Sequence, residues 1–387
     1  MPKYSTDFQE IGHCGGKFTI YAKTAENGRR QYQIGYSHCR PTAASLFAIY
    51  ALPEGIPVGT IQSGYIGTPC NPPPCKGCLT IYIASDSLGM FGHQCQKCKK
   101  YWRSASTPTK WKMTCPYCGF QAESHEFLAV GQLKFVESCC MLIEQAMLSE
   151  QDGEYVIDMD KVADAVGKGG EKPEFYYAEE SQQNKFCCSA CNESNDILGR
   201  YGYCCCCGTH NGLDELEKDI KSIRERITTT VRYEDYVKDA ISAFDSYARQ
   251  IGKQLAGRIP MTSRRRKDWE KRLFHKLGSC VKDLQDNFDI DLFKGFNQSD
   301  KDFAILMFHR RHIYEHNGGE VDDKYIQASG DTSVRPKQVI RESKETALKI
   351  SELVMKMGKN LHDGFHEIFV PEEESLQIKK RNPSRQQ

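Results

Sequence analysis

The sequence lacks three things that would narrow its chemistry at once. Its opening, MPKYSTDFQE, has no charged leader followed by an apolar run. Its longest apolar stretch, roughly Ala43 to Leu52, falls well short of the ~20 residues that cross a bilayer. It also has no surplus charge, with 52 Lys and Arg against 51 Asp and Glu for a formal net charge of +1. The first two absences argue against export and a membrane helix, so a cytoplasmic protein is expected. The third excludes a globally basic nucleic-acid coat, so any such contact must be local. What remains is ordinary globular composition, 39% hydrophobic and 27% charged, over 387 residues, enough for two or three domains.

Cysteine is abundant instead. Nineteen cysteines suit a reduced compartment only if most of them have a task, and thiolates on zinc explain them better than disulfides in a chain this large. Cys75 and Cys78, Cys95 and Cys98, and Cys115 and Cys118 form three pairs, each two residues apart internally and sixteen residues from the next pair. Tetrahedral zinc takes four ligands, and a two-residue gap lets both sulfurs of a pair reach one ion from a tight turn. Cys95, Cys98, Cys115 and Cys118 are the preferred set, because CPYCG places Pro and Gly where a tight knuckle needs them. Between them KKYWRSASTPTKWKMT reads as a hairpin around a Ser/Thr/Pro-rich turn. The remaining pair could close a further metal site with Cys70, Cys39, His38 or His93, or stay as free thiols.

FCCSACNESNDILGRYGYCCCCGTHNG repeats the scheme. Cys188 and Cys191, then twelve residues, then Cys204 and Cys207 give a second set, with Cys187 or Cys205 as substitutes after a one-residue slip. Both sets are zinc ribbons in outline, about two structural zinc ions per chain. With four sulfurs on each ion, no position stays open for substrate or water.

The expected fold is therefore multidomain α+β. A β-rich N-terminal domain occupies 1–90, carried by GGKFTIYAK, RRQYQIGYS and CLTIYIAS. A zinc ribbon at 91–125, a mixed connecting region at 126–180 and a second ribbon at 181–212 follow. Residues 213–368 read as an all-helical bundle and 369–387 as a charged, disordered tail. In the bundle, Tyr233, Tyr236, Val237, Ala240, Ile241, Phe244, Tyr247, Ala248 and Ile251 recur at helical spacing. Leu348, Ser351, Val354 or Met355, Leu361 and Phe365 line the last helix.

The most chemically loaded stretch is RRHIYEHNGG, residues 310–319. Phe303, Leu306, Met307 and Ile313 or Tyr314 would anchor its helix, and Asn317, Gly318 and Gly319 would stop it. Arg311 and His316 lie about 140° apart on an ideal helix, so only a loosened last turn or a groove shared with a second copy brings them together. His312 and His316 share a face.

Arg311-His312-x3-His316, followed by Asn317 on a long helix of a bundle, resembles the Arg-polar-x-His signature of HEPN domains (higher eukaryotes and prokaryotes nucleotide-binding). Arg310 fits the pattern less well, because a polar residue should follow the arginine. The likeness covers roughly 213–368. It implies a metal-independent endoribonuclease of the kind used in anti-phage defence or toxin-type stress responses. Arg311, His316, His312 and Asn317 would form a site between two protomers and leave a 2′,3′-cyclic phosphate. Histidine can move the protons and a guanidinium can hold the phosphorane charge. RNA, a second copy of the chain, and a regulatory protein or phage-derived trigger are the partners it implies.

Arg264, Arg265, Arg266 and Lys267 read as a solvated helix start that could also hold an RNA backbone. Trp102, Arg103, Trp111 and Lys112 could stack and hold bases, or the tryptophans could simply cover a ribbon too small for a core. The competing reading of the whole chain is a non-catalytic zinc-ribbon scaffold that binds nucleic acid or protein.

Overall fold

The computed structural model describes residues 10–39, 45–62, 71–167, 183–227 and 232–381. The chain is α+β, strand-rich with two four-cysteine clusters in its first part and helical in the second. It divides into two units, 1–209 with 372–387, and 210–371.

The first unit begins with strands β1 (Lys17–Thr24) and β2 (Arg30–Ser37), joined by a turn at Asn27 and Gly28. Alternate residues of β1, Phe18, Ile20 and Ala22, are buried, as a strand covered on one face requires. With β10 (Gly153–Asp158) they form an antiparallel sheet of order β10-β1-β2. A second sheet has order β4-β3-β5, from β3 (Leu46–Ala51), β4 (Pro57–Thr60) and β5 (Leu79–Ala84). Helix α1 (Val130–Leu148) fills the core between them, since Phe135, Val136, Cys139, Cys140, Ile143 and Ala146 recur every three or four residues and all are buried. The mixed signal of residues 126–180 thus resolves into α1, β10 and the short α2 (Met159–Val166), whose N-cap Asp158 accepts from the amides of Asp160 and Lys161. Residues 168–182 lie outside the described residues.

The ribbons depart from expectation in their strand pairing. The segment from Tyr101 to Thr114 is not a hairpin. Strand β7 (Tyr101–Ser104) pairs back on β6 (Phe91–Gln94) across the first cysteine turn, and β8 (Met113–Thr114) pairs with β9 (Gln121–Ala122) across the second. The intervening Ser/Thr/Pro residues make side-chain contacts instead of a ladder, with Ser106 bonded to Glu193 through backbone and hydroxyl. The free edge of β7 then takes β12 (Ser194–Leu198), which pairs with β11 (Gln183–Cys187). One four-stranded sheet, β11-β12-β7-β6, therefore fuses the two ribbons. Their shared core holds Trp102, Met113, Phe127, Phe186 and Ile197.

A buried ion pair pins this sheet. Arg103 on β7 donates from Nη1 to Asp86 at 2.7 Å and from Nε and Nη2 to Asp196 on β12 at 3.0 and 2.7 Å. All three side chains are at most 1% exposed. Asp86 in turn accepts the amides of Leu88 and Met90 at 2.9 and 2.8 Å, so the guanidinium joins the loop after β5 to both ribbons.

Part of the tail that the sequence suggested as disordered is helical, and residues 382–387 lie outside the described residues. Residues 373–381 form a helix whose Leu376 packs on the ribbon core, while Ser375 meets the Cys206 sulfur at 3.3 Å. The amide of Glu372 donates to the Cys207 carbonyl at 2.8 Å.

The second unit is a bundle of α3 (Gly212–Arg226), α4 (Tyr233–Arg258), α5 (Ser263–Glu270), α6 (Leu277–Phe288), α7 (Gln298–His316), α8 (Asp323–Ser329) and α9 (Lys344–Ile368); the tail helix is α10 (Glu373–Arg381). Helix α4 is central, packed on α3, α7 and α9. Of its expected stripe, every residue but the half-buried Tyr233 is buried. On α9 the buried face runs through Ala347, Ile350, Ser351, Val354, Met357, Leu361 and Phe365, which leaves Leu348 at 37% exposure on the outside. On α7 the buried anchors are Ala304, Met307, Phe308 and Ile313, with Phe303 and Leu306 half-buried at the flanks. No described helix is long and apolar enough to cross a membrane.

Replacing Asp196 with Ala leaves Arg103 a buried charge with half its partners. Urea unfolding of Asp196→Ala is expected to show a loss of about 3 kcal/mol or more from the first unit.

Candidate functional site

Four short turns carry the sulfur clusters, and they are built alike. In each, the residue after the second cysteine sends its amide back to the first cysteine's carbonyl. The pairs are Lys99 to Cys95 at 2.8 Å, Gly119 to Cys115 at 3.0 Å, Asn192 to Cys188 at 2.8 Å and Gly208 to Cys204 at 2.9 Å. That residue is left-handed every time, with φ of 62° at Lys99, 65° at Gly119, 62° at Asn192 and 78° at Gly208. Glycine adopts this geometry without penalty and asparagine tolerates it, while at Lys99 a longer side chain bears the strain.

The turns bring Cys95, Cys98, Cys115 and Cys118 together, and separately Cys188, Cys191, Cys204 and Cys207, with all sulfurs of a set within 4.8 Å of one another. Sulfur pairs stand 3.7 Å apart in the first set and 3.5 and 3.6 Å in the second. Four sulfurs about 2.3 Å from a tetrahedral zinc would be separated by about 3.8 Å, so both sets fit that ion. They do not fit disulfides, whose sulfurs lie about 2.05 Å apart. Crowding also shifts the thiols against each other. Hydrogen bonds from Cys115 and Cys118 drive Cys98 down to about 2, and those from Cys188 and Cys204 drive Cys191 down. A bound dication extends the same stabilisation of thiolate to all four.

The substitutes from a one-residue slip take other roles. Cys187 is exposed with its sulfur on the Asn192 carbonyl, and Cys205 is buried with its backbone bonded to Thr114 and Asn195. Cys75 and Cys78 face each other at 3.0 Å near the surface, without a third ligand among the described residues. His93 bonds Ser104 at 2.8 Å beside Trp102, and burial lowers its pKa to about 3. Cys70 lies outside the described residues. Trp102 and Arg103 are both buried, so neither offers a surface for bases. Trp111 donates its indole N–H to the Cys206 carbonyl at 2.9 Å and covers the ribbon, while Lys112 is exposed.

In the helical unit, α7 stays regular to its cap. The Asn317 amide donates to Ile313 O at 2.9 Å, and Gly319 donates to the same oxygen at 3.1 Å. The last turn is therefore not loosened, and Arg311 and His316 keep their separate faces within one chain. The Asn317 side chain donates to Asp322 at 3.0 Å, tying the end of α7 to the N-cap of α8.

The two adjacent arginines have different fates. Arg310 is half-buried and held in ion pairs with Asp331 at 2.9 Å and Glu342 at 3.0 Å, and it also contacts Ser333. Tyr325 donates to Asp331 at 2.6 Å and Tyr314 to Glu342. Burial would raise the Asp331 carboxyl, but bonds from Ser333, Tyr325 and Arg310 outweigh it and hold it at about 2. Among the described residues Arg311 has a single ion-pair contact, 3.8 Å to Glu315 one turn on, and its buried Nε has no hydrogen-bond partner there.

His312 and His316, with rings 4.7 Å apart, open onto a cavity of about 500 Å³. His309 and His275 share its lining with Lys276, Lys324 and the first turn of α6 at 277–279. Burial and the neighbouring His312 lower the pKa of His309. Burial also lowers that of His275, with help from Arg311 and against the pull of Asp245. His309 was legible as the residue one turn before His312 but was not singled out. His275 comes from the loop before α6, and no spacing in the sequence announces it. Arg264, Arg265, Arg266 and Lys267 are exposed on α5, which buries only Trp269, and none of them lines the cavity.

Metal analysis of the intact protein is expected to give two zinc ions per chain, with one lost in Cys118→Ser and the other in Cys204→Ser; a third ion would bring in Cys75 and Cys78. Arg310→Ala, by leaving the Asp331 and Glu342 carboxylates without their shared counter-charge, is expected to cost about 3 kcal/mol in thermal or urea unfolding. No protein-family model, curated protein or solved structure matches the chain, so its reading rests on the two sulfur sites and the histidine-lined cavity themselves.

Proposed function

We propose that the helical unit is a metal-independent endoribonuclease of HEPN type, with the zinc ribbons serving as structural and recognition modules. The observation that carries this reading is the cavity where four imidazoles gather on the motif helix and its neighbours; Arg311, on the same helix but outside the cavity lining, has one ion-pair contact among the described residues. Cleavage without a metal needs groups that trade protons near neutral pH and a cation for the extra charge on phosphorus. Imidazole and guanidinium supply both.

The sorting of the arginines supports Arg311 over Arg310. A guanidinium held by two buried carboxylates has its charge already matched, whereas one with a single contact at 3.8 Å can turn its fork to a phosphate. Lys276, Lys324 and the N-terminal end of α6 add positive potential to the cavity wall. His316 and His312, exposed at the end of α7, would face the scissile phosphate, and a second copy of the chain would close the site as the family resemblance implies. Asn317 holds the end of the helix through Asp322 and acts through position only. The exposed basic side chains of α5 suit backbone contacts away from the cleavage point.

The test is cleavage of a labelled single-stranded RNA in EDTA, with zinc content checked afterwards and oligomeric state measured by ultracentrifugation. Arg311→Ala and His316→Ala are expected to fold and associate like the wild type yet cleave at least about 100-fold more slowly, and wild-type products should end in a 2′,3′-cyclic phosphate. Equal rates in wild type and both variants would leave only a metal-stapled binding scaffold.

A further inference from the structure

His275 stands apart from the motif. It sits between α5 and α6, thirty-six residues before Arg311 in the sequence, yet it lines the same cavity as His309, His312 and His316. Asp245 on α4 holds it. Asp245 Oδ1 accepts the His275 backbone N–H at 2.8 Å and lies 3.4 Å from the ring Nδ1, and the Asp245 side chain is itself 12% exposed. Arg249, one turn further along α4, stands 3.7 Å from the other carboxylate oxygen. Nδ1 is buried, while the side chain as a whole keeps 23% exposure. Asp245 thus fixes the backbone that bears the ring, and with Nδ1 buried and making no hydrogen bond of its own, Nε2 is the ring nitrogen left to exchange a proton with a ligand.

We propose that His275 is a catalytic base of this site and that Asp245 is its positioning residue. The proposal rests on the ribonuclease reading and extends it, since that reading names no residue for the removal of the 2′-hydroxyl proton. In the step itself, the 2′-oxygen of the substrate attacks the adjacent phosphorus and its proton passes to His275 Nε2. The bond from phosphorus to the 5′-oxygen breaks, and His316 in its protonated form gives that oxygen a proton. Arg311 of a second copy of the chain faces the non-bridging oxygens. The products are a 2′,3′-cyclic phosphate and a free 5′-hydroxyl, and the two histidines end with their proton states exchanged.

The charges around His275 favour this assignment. Asp245 from α4 pulls its protonated form into favour, while Arg311 from α7, Lys276 in its own loop and partial burial oppose it, and the net effect is a lowered pKa. His309, His312 and His316 are the titratable groups that α7 presents to the cavity, and Asp322 and Lys324 come from the α8 end. A neutral imidazole at pH 7 can accept a proton directly.

The experiment is single-turnover cleavage of the same labelled RNA by full-length protein across pH 5 to 9, for wild type, His275→Ala, Asp245→Asn and His316→Ala, with melting temperatures recorded for each. Asn at 245 keeps an oxygen for the His275 amide while removing the charge, so its fold should hold. His275→Ala is expected to lose about 100-fold or more in kcat with little change in KM, to lose the acid limb of the kcat/KM profile, and to regain part of its rate with added imidazole. Asp245→Asn should move that limb to lower pH, because the group that favours the imidazolium is gone. If His275→Ala cleaves like the wild type, or is slower with an unchanged pH profile and no imidazole rescue, the proposal fails while an inactive His316→Ala keeps the ribonuclease reading. If His316→Ala and Arg311→Ala also cleave like the wild type, both fall together.

Discussion

The constraint on which the first unit depends is that its ribbons are too small to bury a core unaided. Sulfur and a shared strand edge meet that shortage together. Each four-cysteine set draws two turns to one point, and the β7–β12 pairing lets the two ribbons bury Trp102, Phe127, Phe186 and Ile197 against each other. Arg103 then locks the pairing from inside. A guanidinium with almost no access to water is stable only while Asp86 and Asp196 both remain in place, so the loop after β5 and the two ribbons share one electrostatic condition.

The four-cysteine clusters were legible in the sequence because a tetrahedral sulfur site dictates spacing more strictly than packing does. Two-residue gaps with glycine at 119 and 208 single out the clustered sulfurs even among four adjacent cysteines. The helical stripes of α4 and most of α9 were legible for a similar reason, since burial follows a 3.6-residue period. What could not be read was anything decided between distant segments. Ser106 and Glu193 cooperate across the ribbons, so the run from Tyr101 to Thr114 closes no hairpin of its own. Leu376 finds the ribbon core, so a charged tail becomes a helix. His275 reaches the cavity because Asp245 on another helix fixes the loop that bears it.

The motif at 310–319 shows how far local sequence can mislead and inform at once. Two arginines side by side look equivalent on paper. A helix turns them about 100° apart, and that rotation alone gives one to the carboxylates of 331 and 342 and leaves the other with Glu315 one turn on. The glycines that follow stop the helix as their chemistry suggests. Because Asn317 is bound to Asp322, the end of α7 keeps a regular geometry, and any meeting of Arg311 with His316 has to occur across chains.

Helix α10 has one more consequence. It belongs with residues 1–209, although the whole of 210–371 separates them along the polypeptide. During synthesis the ribosome must finish the helical bundle before Leu376 and Ser375 can dock beside Cys206. The ribbon half is thus the first to begin folding and the last to be completed, and until then it presents an uncovered sulfur-rich surface to the cell's reductants and metals.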